Sequence, residues 1–232
     1  DITQYEEKEG TNYGMGLGDK YFLEETAKKI NQKDGKNVSY VISLTSHYPF
    51  VLPKDKKTLT LEKEMKDKML GNYFESVHYT DKAIGKFIND IKKENKDTVF
   101  ILFGDHNGIF KDQKGDVDEW RNKQISNEEW IAKYSTIPFI VHYEGMEQVE
   151  INDIAGHIDI KPTVEYLFGF EKSPLDFGIN LVEERNKSIF LLKGDYGQNN
   201  VIKKNGKISN YTNQEIKDLE YSEKLIKSNF DK

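Results

Sequence analysis

The chain has 232 residues, no cysteine, 34 basic against 40 acidic side chains, a formal charge of −6 and 36% hydrophobic content, with a mean hydropathy of −0.75. That length buries a sizeable core, either in one large domain or in one domain with a small appendage. The composition excludes a disulfide framework, a thiolate zinc site and a cysteine nucleophile, and with Arg121 and Arg185 as its only arginines the chain is not expected to read duplex nucleic acid.

No window approaches eighteen consecutive apolar residues, and neither a membrane span nor a signal peptide is visible. The sequence starts at Asp1 rather than Met and reads as a piece of something longer, so missing targeting signals say little about where the parent resides. Lysine runs such as Lys54-Asp55-Lys56-Lys57 read as solvated surface.

Residues 1–18 are polar and glycine-rich and read as a loop entering the fold. A phosphate cradle is the competing reading, but no strand precedes the glycines and no Gly-Lys-Ser/Thr ending follows them. From Asp19 to Ile30, Phe22, Leu23, Ala27 and Ile30 recur at helical spacing. Val38 to Leu44, rich in β-branched residues, reads as a strand. Between Leu61 and Ile91 the residues Met65, Met69, Tyr73, Val77, Thr80, Ile84, Phe87, Ile88 and Ile91 trace one face of a long helix, with Gly71-Asn72 as a place for a break.

The chain returns as a strand from Thr98 to Phe103. A strand, a helix and a second strand predict a parallel pair joined by a right-handed crossover, which carries Thr45-Ser46-His47 and Gly104-Asp105-His106 to the same sheet edge. Residues 108–135, with Trp120 and Trp130, read as an irregular insertion over that edge, and Ile137 to Tyr143 as another strand. Asp159 is expected to cap a helix from Ile160 through Leu167, with Pro162 in its first turn, and Glu171 to Arg185 is loop-like. Short strands at Ile189-Leu192, Asn200-Lys203 and Lys207-Tyr211, a hairpin turn at Asn205-Gly206 and a polar helix from about Gln214 make a small antiparallel subdomain. The expected division is 1–185 for the main domain and 186–232 for this appendage. No internal repeat is present.

The chemistry concentrates at the end of the strand in Val99-Phe100-Ile101-Leu102-Phe103-Gly104-Asp105-His106-Asn107-Gly108. Carboxyl ends of strands are where α/β proteins place their sites. A hard carboxylate oxygen and a borderline imidazole nitrogen side by side can reach one cation, so Asp105 and His106 are candidate metal ligands. His47, in Leu44-Thr45-Ser46-His47-Tyr48-Pro49-Phe50, is a candidate for binding an oxyanion or protonating a leaving oxygen. His78, His142 and His157 read as structural. Ser43, Thr45 and Ser46 lack a nucleophile-elbow motif, so a serine hydrolase is not expected. Two metal ligands fall short of the three or four that a hydrolytic or transfer site uses.

Five motifs in order carry a resemblance: Asn12-Tyr13-Gly14-Met15-Gly16-Leu17-Gly18-Asp19-Lys20, Leu44 to Phe50 as above, Gly104-Asp105-His106-Asn107-Gly108, Gly156-His157-Ile158-Asp159-Ile160-Lys161-Pro162-Thr163 and Asn205-Gly206-Lys207-Ile208. Together they resemble the carboxyl-terminal half of the extracellular catalytic domain of the lipoteichoic acid synthase family, sulfatase-like phosphoglycerol transferases of the alkaline phosphatase superfamily. The resemblance implies an α/β fold, a sulfatase-like sheet flanked by helices. It implies transfer of glycerol phosphate from phosphatidylglycerol, through a phosphothreonine intermediate, to a growing polyglycerolphosphate chain. It also implies a manganese or other divalent ion held in part by Asp105 and His106, with His47 on the substrate phosphate.

The same resemblance puts the domain on the extracellular face of a Gram-positive cell membrane, with the parent anchored by upstream transmembrane segments, or in the secreted fraction after cleavage. The nucleophilic Thr, a metal-binding Glu, and Trp and Arg substrate contacts are expected upstream of Asp1, so the partner is the amino-terminal half of the catalytic domain and the fragment alone is expected to be inactive. The alternatives are a sulfatase or phosphoethanolamine transferase relative and a non-catalytic module that binds anionic polymer.

Overall fold

A computed structural model describes residues 5–6, 8, 10–66, 68–153, 155–173, 176–183, 190–192, 200–203, 207–210 and 212–230. They form two compact units, Asp1–Glu147 and Gln148–Lys232. The division falls ahead of the change in character after Arg185, and the Phe177 ring stands edge-on to Tyr221 near the end of the chain with centroids 5.9 Å apart.

In the first unit, β1 (Asn12–Tyr13) and β2 (Gly16–Leu17) pair antiparallel, so the glycine-rich entry is a small hairpin rather than a loop. It leads into α1 (Asp19–Asn31). After a long connection come α2 (Met69–Glu94) and β3 (Phe100–Phe103). The core between them is Ala27, Ile91 and Phe100, with Ile30, Phe87, Ile88 and Leu102 packed around it. This is the burial that the helical periodicities of α1 and α2 predict. The far ends of the two helices are tied by Asn31, whose Nδ2 donates to the Asp90 carbonyl at 3.1 Å.

Helix α2 begins at Met69 rather than near Leu61. Residues before it fold as turns, with Met65 N–H on Glu62 O at 3.0 Å and Lys68 N–H on Met65 O at 3.1 Å. Gly71 is no break. A Cβ there would sit 2.0 Å from the Met65 carbonyl oxygen, so glycine lets the preceding turn lie against the first turn of α2.

The expected strand at 38–44 is not formed, and with it the parallel crossover pair is absent among the described residues. β3 pairs instead antiparallel with β4 (Phe139–His142), in the register Phe100↔His142 to Phe103↔Phe139. The reason lies at the end of the 38–44 segment. The amide groups of Leu44 and Thr45 are taken by the Asp19 carboxylate, and Val38, Tyr40 and Ile42 stand 96, 74 and 56% exposed. The segment still runs near the expected place, with the Tyr40 ring 6.4 Å from Phe103.

Residues 108–135 are more regular than expected. They hold α3 (Lys114–Trp120), the short α4 (Asn127–Glu129) and a π-type turn at Trp130–Tyr134. Val117 and Trp130 are fully buried, and the Asp118 carboxylate ties the segment together by pairing with Lys114 at 2.7 Å and accepting from Ile125 N–H at 2.8 Å.

In the second unit, α5 (Ile160–Leu167) runs as expected, with Pro162 in its first turn. Asp159 stands at the N-cap but does not cap with its side chain. Its buried carboxylate accepts from Gly156 and Ile179 N–H, both at 2.9 Å, fastening the later loop to the helix start. Thr163 reinforces this, its hydroxyl accepting from Leu181 N–H at 3.1 Å. β5 (Phe190–Leu192), β6 (Asn200–Lys203) and β7 (Lys207–Asn210) form an antiparallel sheet in that order, and α6 (Asn213–Phe230) follows. The Asn205-Gly206 turn, and the edge residues Ile189 and Tyr211 of the expected strands, lie outside the described residues.

Candidate metal and phosphate site

β3 carries the chain to Gly104-Asp105-His106, where the backbone leaves the sheet. The His106 Nε2 and the Asp105 Oδ1 are 3.8 Å apart, and both side chains are open to solvent. His47 reaches the same place from the loop that follows Thr45. Its ring stands edge-on to His106 with centroids 5.8 Å apart, so two histidines 59 positions apart in sequence meet although the strand pair expected to bring them does not form.

The two imidazoles are held alike. His47 Nδ1 lies 2.7 Å from the Tyr48 carbonyl oxygen and His106 Nδ1 lies 2.9 Å from that of Asn107. A carbonyl only accepts, so each Nδ1 carries the hydrogen and each Nε2 keeps its lone pair in the neutral ring. A carbonyl bonded to one ring nitrogen in this way fixes the direction in which the other nitrogen points. Phe110 stacks over His106 at 6.2 Å, giving one side of the site an apolar wall.

Each histidine has an anchor in the core. The loop after His47 contains a cis Tyr48-Pro49 peptide and Phe50 in left-handed backbone, φ 60°. Phe50 is 2% exposed and packs edge-on against Tyr73 of α2 at 5.2 Å. The loop after His106 passes so close to the same Tyr73 that a Cβ on Gly108 would lie 2.5 Å from its ring. Upstream of His47, the Asp19 carboxylate accepts from Leu44 N–H at 2.9 Å, from Thr45 N–H at 3.2 Å and from the Thr80 hydroxyl at 2.7 Å. Asp19, Thr80 and Tyr73 were not legible as site supports. A carboxylate in a first helical turn is ordinary, and its partners here are mostly backbone.

The donor set fits a divalent cation in part. Metal bonds to histidine nitrogen and carboxylate oxygen are each about 2.0–2.2 Å, so a 3.8 Å separation lies within the span of one ion. No group of three or more His, Cys, Asp or Glu among the described residues is arranged to hold a metal. Asp105 and His106 by themselves therefore offer two donor groups, fewer than a closed metal site uses.

His142 and His78 lie elsewhere in the first unit. His142 pairs with Phe100, at the opposite end of β3 from Asp105, where it stacks on that ring at 6.2 Å and lies 3.4 Å from the Lys92 amine. His78 is half-buried on α2, and His157 begins a 3-10 turn in the second unit.

A model of the family described as sulfatase matches residues 1–170. The chain belongs to the sulfatase family. Its relatives within that family include a lipoteichoic acid synthase-like protein, YvgJ, from Bacillus subtilis, 31% identical over 97% of this chain and 38% of that protein. The lipoteichoic acid synthase of Staphylococcus aureus is 30% identical over 93% of this chain and 34% of its own length. The chain thus spans little more than a third of the curated relatives it matches.

Among solved sulfatase-like structures, the lipoteichoic acid synthase LtaP from Listeria monocytogenes superposes with a TM-score of 0.72 at 29% identity, over 95% of this chain and 60% of that one. An alkaline phosphatase superfamily protein from Vibrio parahaemolyticus shares the fold, at a TM-score of 0.62 and 20% identity over 89% of this chain and 50% of that one. The α/β architecture is therefore that of the sulfatase-like and alkaline-phosphatase-like enzymes. No helix among the described residues is long and apolar enough to cross a membrane.

Proposed function

We propose that this sulfatase-family chain serves metal-dependent phosphoglycerol transfer, moving glycerol phosphate from phosphatidylglycerol to a growing polyglycerolphosphate chain of lipoteichoic acid. The observation that carries the reading is the meeting of His47 and His106, each with Nδ1 tied to a carbonyl and Nε2 free, beside the Asp105 carboxylate. The similarity to lipoteichoic acid synthases along nearly the whole chain supports the choice of substrate.

In this reading Asp105 and His106 Nε2 hold a divalent cation, manganese in the first instance, together with ligands from outside these residues. When bound, such an ion neutralises charge on the transferred phosphoryl oxygens and acidifies the attacking hydroxyl. His47 Nε2 faces the phosphate: as imidazolium it donates to a phosphoryl oxygen or to the departing glyceride oxygen, and as neutral imidazole it takes the proton back. The bond from phosphorus to the glyceride oxygen breaks, a bond to a threonine hydroxyl oxygen forms, and diacylglycerol leaves with the threonine's proton. Then the terminal glycerol hydroxyl of the growing polymer bonds to phosphorus, the bond from phosphorus to the threonine oxygen breaks, and the threonine takes the acceptor's proton. No Thr of this chain is assigned the nucleophilic role, and a polypeptide segment bearing the Thr and a further carboxylate is the expected partner. The exposed apolar side chains of Val38, Tyr40 and Ile42 are consistent with cover from such a segment. The reading sets the domain on the extracellular face of a Gram-positive cell membrane.

The test is product analysis on the longest natural protein containing these residues, supplied with phosphatidylglycerol and Mn2+. Release of diacylglycerol that is lost in His47→Ala and in Asp105→Ala is expected. Turnover of a sulfate ester without diacylglycerol would make the enzyme a sulfatase instead, and polymer binding without any turnover would make the chain a binding module.

A further inference from the structure

Asp19 is buried to 1% exposure at the start of α1, and the reaction outlined above gives it no part. Its charge is met by backbone amides and a hydroxyl: Leu44 N–H and Thr80 Oγ1 at 2.9 and 2.7 Å, with Thr45 N–H at 3.2 Å. The bond is reciprocated, since Asp19 N–H donates to the Thr45 hydroxyl at 2.9 Å. Thr45 and Thr80 are themselves buried. One carboxylate thus clasps α1, the middle of α2 and the two residues that precede Ser46-His47.

The clasp is directed at the histidine. Leu44 gives its N–H to Asp19 and its carbonyl to His47 N–H, at 3.0 Å. His47 then gives its carbonyl to Phe50 N–H at 2.9 Å, and its Nδ1–H to the Tyr48 carbonyl. The turn that aims the ring is therefore closed by hydrogen bonds from Leu44 onward, and its first residue is fixed in space by Asp19. His106 has no such dependence, because it follows β3 directly and makes its own bond to Asn107 O.

We propose that Asp19 is a positioning residue for His47: with Thr45 and Thr80 it sets the turn that holds the imidazole against His106. This rests on the reading of His47 as the phosphate-facing histidine. The geometric claim can nevertheless be tested without turnover, so the two fail separately.

Imidazole NMR of the full 232-residue chain follows the contact between the His47 and His106 rings and the hydrogen-bonded Nδ1–H signal of each. In Asp19→Ala the ring-to-ring contact is expected to disappear and the His47 Nδ1–H signal to be lost to solvent exchange, while the His106 signal stays. Asp19→Asn keeps one oxygen to accept from both amides and puts an amide N–H where Oδ2 now accepts from Thr80, so that the Thr80 hydroxyl accepts instead of donating, and it is expected to restore the His47 signals. A folded Asp19→Ala chain with both His47 signals unchanged overturns the proposal, as does equal loss of the His47 and His106 signals. Should Asp19→Ala fail to fold, Thr80→Val decides: a weakened ring-to-ring contact supports the clasp and an unaltered one overturns it. In the active parent, Asp19→Ala should then lower kcat/KM by about 100-fold through misplacement of His47, with substantial recovery in Asp19→Asn.

Discussion

Gly108→Ala is a small change with a structural cost that can be worked out from the fold. The added Cβ would lie 2.5 Å from Tyr73 Cε2 and 3.2 Å from its Cζ, where ordinary contact begins at 3.4 Å. The ring must therefore retreat by roughly 1 Å, and it has little room. Phe50 stands against it at 5.2 Å and Phe74 at 5.7 Å, and Phe50 is itself buried. Overpacking of this kind costs about 1–3 kcal/mol, which for a unit of this size lowers the midpoint of thermal unfolding by roughly 3–10 °C. The assay is thermal unfolding of the parent, Gly108→Ala, Tyr73→Leu and the double variant. Removing the ring should relieve the clash, so the double variant is expected to recover about 1 kcal/mol or more relative to the sum of the singles. If Gly108→Ala unfolds with the parent, or if the two changes simply add, Tyr73 does not support the loop that carries Asp105 and His106.

Two further outcomes follow from the site and its surroundings. Mn2+ should broaden the His106 ring signals of the chain, and Asp105→Ala should raise the Mn2+ concentration needed at least tenfold, given that even outer-shell partners of a metal are worth about 10- to 100-fold; broadening unchanged in Asp105→Ala would remove that carboxylate from the ligand set. In the 108–135 segment, the Lys114 ammonium first, and the Ile125 N–H second, hold the Asp118 carboxyl below the usual carboxylate range. A lowered value favours the folded state above the unfolded pKa of about 3.9 and loses that advantage as pH falls through the folded value. Asp118→Asn should therefore unfold earlier than the parent at pH 6, and the two midpoints should converge once the pH has fallen through the lowered folded-state value; a difference that is constant with pH would contradict the pairing.

What the sequence made legible follows from how local the physics is. An apolar strand running into Gly104-Asp105-His106 needs nothing beyond its own ten residues to be recognised, and α2 announces itself through a long helical periodicity. Val38 to Leu44 has the β-branched composition of a strand, yet a ladder needs a neighbour, and composition does not name one. β3 found its partner in Phe139–His142, while the Leu44 and Thr45 amides went to a side chain. Asp19 was invisible for the complementary reason: a carboxylate bonding to amides leaves no mark on the identity of its partners. Trp130 shows the same limit, since a tryptophan in a charged stretch gives no sign that the chain around it closes into a turn and buries it.

The supports of the two histidines share one helix face. Tyr73 and Thr80 are seven residues apart on α2, two turns, and so lie on the same side of it. Tyr73 backs the loop of His106 at Gly108 and the loop of His47 at Phe50, and Thr80 holds the carboxylate that starts the His47 turn. Ser76, fully buried between them, completes the stripe. The distance between the two Nε2 atoms is thus referred to a single rigid element rather than to two loops settling independently. Changes on the Tyr73 side should displace both imidazoles together, whereas changes at Asp19 or Thr80 should displace His47 alone. One helical template, rather than a sheet pair, holds the two imidazoles at their separation. That is why the rings meet even though the strand pairing expected to bring them together does not form.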